Sequence, residues 1–290
     1  MAAEPVPPIS YSLLNHLAYT NKPPSPKEFV ASAAQAIIQA AARGAWHLAI
    51  DTLPATSLPQ AIGRLAHLET LWIRDTECTS LPDSIGGLAS LRALSLRDNP
   101  KLTRLPDRLV ELRQLQSLTV TGTPLESWPE GIGALSNLNH LRLSGGTYQQ
   151  LPSCLAGLTA LKALHIGAHD HMQELPAEMS RLAGLEHLGI EYCPELRSLP
   201  SLGSQSALKV LDLHRCEKLE TLPSDLGDLR HLRTLRLIGC TGLKDLPDSL
   251  SRLPERCKIE VQPHLEERLA EILSSRDRRR TAEPAVAQRP

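Results

Sequence analysis

The sequence predicts an α/β solenoid, one elongated domain of about nine coils of 23–24 residues, each giving a short strand to a concave parallel β-sheet. Three observations carry the prediction. A proline preceded by an apolar residue returns at Pro59, Pro82, Pro106, Pro129, Pro152, Pro176, Pro200, Pro223 and Pro247, always 23 or 24 residues on, with an off-period tenth at Pro254. Upstream of these prolines runs the pattern L-x-x-L-x-L, as in Leu68/Leu71/Ile73, Leu115/Leu118/Val120, Leu161/Leu164/Ile166 and Leu232/Leu235/Leu237. Aromatic residues make up 3% of the chain and Phe29 is its single phenylalanine, so the interior has to be aliphatic.

A period of this length with this pattern is that of a leucine-rich-repeat horseshoe. Side chains alternate across a strand, so the three apolar positions of each unit point inward and the residues between them face water. One such strand cannot bury its apolar side alone. Stacked in parallel about 4.8 Å apart, the strands close a shared leucine core.

Taken in order, residues 1–24 are rich in Pro and Ser, lack a sustained apolar period, and read as a disordered leader. Ser25-Pro26-Lys27-Glu28 then opens a helix, with Ser as N-cap, Pro at the first helical position and Glu completing a capping box. This helix, 25–44, places Phe29, Ala33, Ile37 and Ala41 on one side, stops at Gly44, and covers the open end of the first repeat. The repeats fill 45–262, beginning with a degenerate strand at Trp46–Ile50 and ending with the alternating Cys257–Val261. A second cap helix, 263–275, carries Leu265, Leu269, Ile272 and Leu273 at helical spacing, and 276–290 forms a disordered tail whose Arg276, Arg278, Arg279 and Arg280 read as a solvated helix end.

Two units depart from the pattern. Between Pro200 and Leu208 one residue is missing and Gln205 stands at the apolar position of Leu88 and Leu229, which predicts the loosest stretch of the convex side. Gly145-Gly146 occupies the turn where Asn99, Cys193, Cys216 and Cys240 stand in other units. At that place Asn or Cys bonds the turning backbone, so these cysteines read as structural thiols.

Composition narrows the function. The net charge is −1 with His neutral, and no basic stripe precedes the C-terminal tail, which argues against nucleic acid. The six cysteines lack C-x-x-C spacing and predict neither a zinc site nor a disulfide framework. No signal peptide or membrane span is expected, since the longest apolar run, Phe29 to Ala42, is short and interrupted by Ser32, Gln35 and Gln39. Motifs for a nucleophile elbow, a phosphate loop or a zinc protease are not found, so the chain reads as a non-enzyme without catalytic residues, metal or cofactor.

What remains is binding. At about five side chains a unit the concave face shows about 40, against the roughly 20–30 per side of a standard interface. Interface energy concentrates in Trp, Tyr and Arg, which selects Trp72, Arg74, Arg97, Arg142, Tyr192, Arg215 and Arg236 as partner-binding candidates. His140, His165, His187, His214 and Asp212 join them on the same face. Trp72 is the sharpest, because Ser95 and Thr119 hold its position in the next units. It either anchors a partner or shields the end of the sheet. Trp128, at the leucine place before Pro129, reads as core. The histidines lie in separate units, those two units apart about 10 Å from each other along the sheet, and His169-Asp170-His171 with Glu174 fits ordinary repeat positions. Neither group is expected to bind metal.

The units Leu185–Pro200, Leu208–Pro223 and Leu232–Pro247 follow L-x-x-L-x-L-x-x-C-x-x-L-x-x-L-P, with Ile190 at one inward place. This resembles the repeats of plant intracellular resistance proteins and of leucine-rich-repeat type III effectors from plant-associated bacteria. The closing segment Leu253-Pro254-Glu255-Arg256-Cys257-Lys258-Ile259-Glu260-Val261-Gln262-Pro263-His264-Leu265-Glu266 is similar to the end of the repeat domain in one such effector. The resemblance implies secretion by a type III system into the host cell cytoplasm and binding of a host protein; a monomer is expected, and composition gives no nucleic-acid or membrane partner. That effector carries an E3 ubiquitin-ligase domain after its repeats. Here the chain ends soon after the cap, and none of the six cysteines has the C-x-D context of the other bacterial repeat-containing ligases, so ligase activity is not expected to carry over. The alternatives are a scaffold of the bacterial cytoplasm and a ligase with a divergent site.

Overall fold

The computed structural model describes residues 9–12, 37, 44–52 and 56–282, with side chains for 37, 44–52 and 56–275. Among the described residues eleven parallel strands form one sheet in strict sequence order. They are β1 (Ile9–Ser12), β2 (His47–Asp51), β3 (Thr70–Arg74), β4 (Ala93–Arg97), β5 (Ser117–Thr121), β6 (His140–Ser144), β7 (Ala163–Gly167), β8 (His187–Glu191), β9 (Val210–Asp212), β10 (Thr234–Arg236) and β11 (Lys258–Glu260). The register is constant: Leu71 pairs with Leu94, Leu94 with Leu118, Leu118 with Leu141, and Leu141 with Leu164. Each inward leucine therefore stacks on its counterpart, and a single continuous core runs from Ile37 to Ile272.

Two residues past each inward pair the backbone reverses through the left-handed region, at Thr52, Asp75, Asp98, Gly122, Gly145, Ala168, Tyr192, Arg215 and Gly239. Three are glycines, for which a positive φ carries no Cβ clash. At the next position lies a ladder of buried groups that bond the carbonyls the turn leaves open. Asn99 donates through Nδ2 to the carbonyls of Ile73 and Arg97 at 3.1 and 3.0 Å, and its Oδ1 accepts from the Thr76 hydroxyl at 2.6 Å. Cys216 and Cys240 donate to Ile190 and Leu213, the carbonyls equivalent to that of Ile73 in later units, so the thiol replaces the amide as donor. Burial raises the Cys193 thiol to about 11, leaving it protonated. All six cysteines are free.

On the convex side most units return through a five-residue 3₁₀ turn whose first residue follows the repeat proline, as in Asp83–Gly87 and Ala177–Arg181. Proline fixes φ for the extended residue that opens the turn and needs no donor there. The short unit after Pro200 lacks this helix. In its place Asp225 of the next unit accepts hydrogen bonds from the Ser201 hydroxyl and from the backbone N–H groups of Leu202 and Gly203. A Cβ at Gly203 would stand 2.9 Å from the Asp225 carboxylate, so glycine makes the close approach.

At the ends the structure differs from the sequence reading in two places. Within the expected disordered leader, Ile9–Ser12 pairs in parallel with β2, Ile9 against Leu48 through Ser12 against Asp51. Without it β2 would be an edge with an open row of backbone donors and acceptors. The C-terminal helix runs Pro263–Ala282, seven residues beyond the expected 275, because the Arg-rich stretch contains no helix breaker. Leu265 and Ile272 seal the core, and Arg268 ties the helix to Asp245 and Asp248 at 2.8 Å each. The expected N-terminal helix lies outside the described residues except for Ile37, which is helical and 2% exposed.

Candidate protein-interaction surface

Alternation gives each five-residue strand three side chains on the hollow side, and register lines them into rows. The first row runs His47, Thr70, Ala93, Ser117, His140, Ala163, His187, Val210, Thr234 and Lys258. The middle row is Ala49, Trp72, Ser95, Thr119, Arg142, His165, Gly189, Asp212, Arg236 and Glu260. The third begins Asp51, Arg74, Arg97 and Thr121.

Small residues follow Trp72 in its row, and that contrast opens a recess of about 200 Å³ lined by Asp51, Trp72, Arg74, Ala93, Ser95, Arg97, Ser117 and Thr119. Trp72 is 49% exposed and walls the recess. His47 meets its ring edge-on at 4.7 Å, which holds the indole upright. Burial, partly opposed by Asp51, lowers the His47 pKa, so the ring is neutral at pH 7. Arg74 donates to Asp51 at 3.2 Å, while Arg97 makes no ion pair among the described residues.

The remaining candidates fall into three groups. Arg142 and His165 pair in register, and His165 leans over Gly189, where a Cβ would be 2.8 Å from its Nδ1. Burial, with Arg142 close by, depresses the His165 pKa. His140 and His187 share the row beside them, two strands apart. Asp212 and Arg236 belong to a closed charge network in which Arg236 bonds Asp212 and also reaches Glu260 at 2.9 Å. Tyr192, His214 and Arg215 sit beyond the strand ends on the rim, with the Tyr192 ring 5.5 Å from His214 and the Arg215 guanidinium 5.3 Å from the same ring. The candidates are thus not one site, and the structure brings Trp72, Arg74 and Arg97 together in one recess.

Sequence reasoning missed Asp51 and His47, whose strand lacks the repeat pattern, and Ser95, Ser117 and Thr119, whose small size makes the recess. A scan of the first and middle rows for one large residue among small ones would have found the latter. No group of three or more His, Cys, Asp or Glu among the described residues is placed to hold a metal ion, and no described helix is long and apolar enough to cross a membrane.

The fold and this open hollow define a protein-interaction scaffold. A leucine-rich repeat region model matches residues 46–121 and 85–198, and the chain belongs to the leucine-rich-repeat family. Among solved structures it is similar to the leucine-rich repeat domain of the type III effector XopL, at 30% identity over 86% of this chain and 88% of that one, with a TM-score of 0.73. Two further similarities are to a Leptospira interrogans leucine-rich-repeat protein, at 18% identity over 82% and 96% of the two chains, and to the plant peptide hormone receptor RGFR1 in complex with RGF2, at 19% over 69% and 44%, each with a TM-score of 0.41. No curated protein sequence matches the chain.

Proposed function

We propose that this chain is the binding module of a type III effector that enters the host plant cell, docks one host protein in its hollow face and acts by binding, without catalysis. The similarity to the XopL repeat domain supports the effector reading. The docking reading is carried by one observation: Trp72 stands 49% exposed in a strand position that its neighbours fill with Ser95 and Thr119. That much indole is left in water, and burying it against a partner beside flanking Arg is the usual source of interface energy.

The test has two arms. A reporter fused to residues 1–25 leaves a bacterium with a working type III apparatus; retention in the cytosol would point to a bacterial scaffold instead. Quantitative pull-downs from plant extract with the wild type and with Trp72→Ala/Arg97→Ala identify a host protein whose recovery the double variant abolishes at unchanged melting temperature. Equal recovery would move the interface to another face, and ubiquitin transfer by the purified chain with E1 and E2 would overturn the non-catalytic reading.

A further inference from the structure

We infer that the recess at the N-terminal end of the hollow face receives a carboxylate side chain, so that the partner contributes an acidic segment; this rests on the docking reading above. Arg74 and Arg97 hold the same register position on adjacent strands, about 4.8 Å apart. Their like charges on neighbouring strands repel, and the fold supplies a single carboxylate within the recess, Asp51, which bonds Arg74. Arg97 is left exposed at the wall with no ion pair among the described residues. Asp75 and Asp98 follow the two arginines on the rim, at the left-handed turns, and neither bonds them.

The recess also offers hydroxyl groups from Ser95, Ser117 and Thr119, none of which makes a side-chain hydrogen bond among the described residues. A planar guanidinium beside hydroxyl donors matches a carboxylate in both charge and geometry. Charge magnitude selects among anions. The recess has one uncompensated positive charge, which suits a carboxylate at −1 better than a phosphate monoester at about −1.5 to −2. Size selects too: small-molecule sites run to about 300–1,000 Å³, so 200 Å³ fits one side chain of a larger partner and no free cofactor. Trp72 beside it can cover an apolar neighbour of the acidic residue in the same segment.

The experiment displays random twelve-residue peptides against the full chain. Enriched peptides are expected to carry Asp or Glu in excess over the input, to lose about tenfold or more in affinity for Arg97→Gln, and to weaken as salt rises. Against Arg97→Glu the same selection should turn toward Lys and Arg, a reversal that a purely structural role for Arg97 cannot produce. Neutral or basic peptides that lose affinity for Trp72→Ala but bind Arg97→Gln as well as wild type would overturn the acidic partner and leave hollow-face docking standing. Peptides indifferent to Trp72→Ala, Arg97→Gln and Arg142→Ala, or no enrichment at all, would count against both. An enriched peptide that binds more than tenfold tighter with phosphoserine at its acidic position would overturn the carboxylate in favour of phosphate.

Discussion

The indole N–H of Trp128 donates to the Tyr148 hydroxyl at 2.6 Å, across 20 residues of chain. Trp128 occupies the leucine place before Pro129 and is 8% exposed, so its ring carries into the core boundary a donor that leucine would not bring. Burial raises the Tyr148 pKa well above the usual phenol range, so the hydroxyl stays protonated. Tyr148→Phe leaves the indole N–H unpaired and is expected to cost ~1–3 kcal/mol. In the double variant Trp128→Leu/Tyr148→Phe both polar groups are gone, so the loss should be smaller than the sum of the single losses. Urea unfolding of the four proteins measures the difference, and additive losses would show that the bond carries no coupling.

Leu164 lies in β7 between Leu141 and Leu188, and it lines an apolar void of about 10 Å³ together with Leu155, Met179 and Leu182. Leu164→Ala enlarges a gap that the neighbours already fail to fill, so the cost should fall high in the ~2–5 kcal/mol range for such truncations. In a solenoid each unit leans on its neighbours, so binding at every face should fall together with the melting temperature. Loss of binding without loss of stability would place Leu164 in an interface.

Gln205 is fully buried in the place of Leu88 and Leu229. Its Nε2 donates to the Met179 carbonyl at 3.1 Å, but its Oε1 has no partner. The Met179 carbonyl also accepts from the Leu182 N–H at 3.0 Å, so removing the amide leaves no orphan behind. Gln205→Leu is therefore expected to stabilise the fold by roughly 1–2 kcal/mol, read as a higher urea midpoint at unchanged slope. A lower midpoint would mean the leucine cannot fit the shortened unit.

The core and the strand register were legible in the leucine spacing because a solenoid repeats one local solution, and a residue's place in the period fixes its direction. Cys216 and Cys240 show how far this reaches: their position alone predicted a thiol bonded to turning backbone, and they donate to Ile190 and Leu213, the carbonyls equivalent to the Ile73 carbonyl that Asn99 bonds. The ends were less legible. Ile9–Ser12 is too short to show a period, and its pairing depends on the exposed edge of β2, a property of the assembled sheet. Of the recess, Trp72, Arg74 and Arg97 stood out as single residues, whereas their grouping with Asp51 and the small Ser95, Ser117 and Thr119 did not. His140 and His187 share a row, whereas His165 lies in the next row and His214 beyond the strand. Whether Arg74 meets Asp51 depends on a strand, His47–Asp51, that breaks the repeat pattern.

Asp225 gives the fold a measurable acid sensitivity. Burial works against its charge, but hydrogen bonds from Ser201, from the Gly203 N–H at 2.7 Å and from the Leu202 N–H outweigh it and hold its pKa below the ordinary aspartate value. The unfolded chain therefore takes up this proton first as the pH falls. The contribution is fully present above the unfolded value of about 3.9 and is lost as the pH drops through the lower folded value. Asp225→Asn keeps one acceptor and removes the charge, which should cost ~1 kcal/mol at pH 7, a figure kept small because the group is half open to solvent. Between pH 5 and 2 the variant's unfolding free energy should fall less steeply than that of the wild type, so that the two curves converge. Parallel curves from urea melts across that range would show that Asp225 titrates alike in both states and that its hydrogen bonds hold the neutral acid as well as the carboxylate.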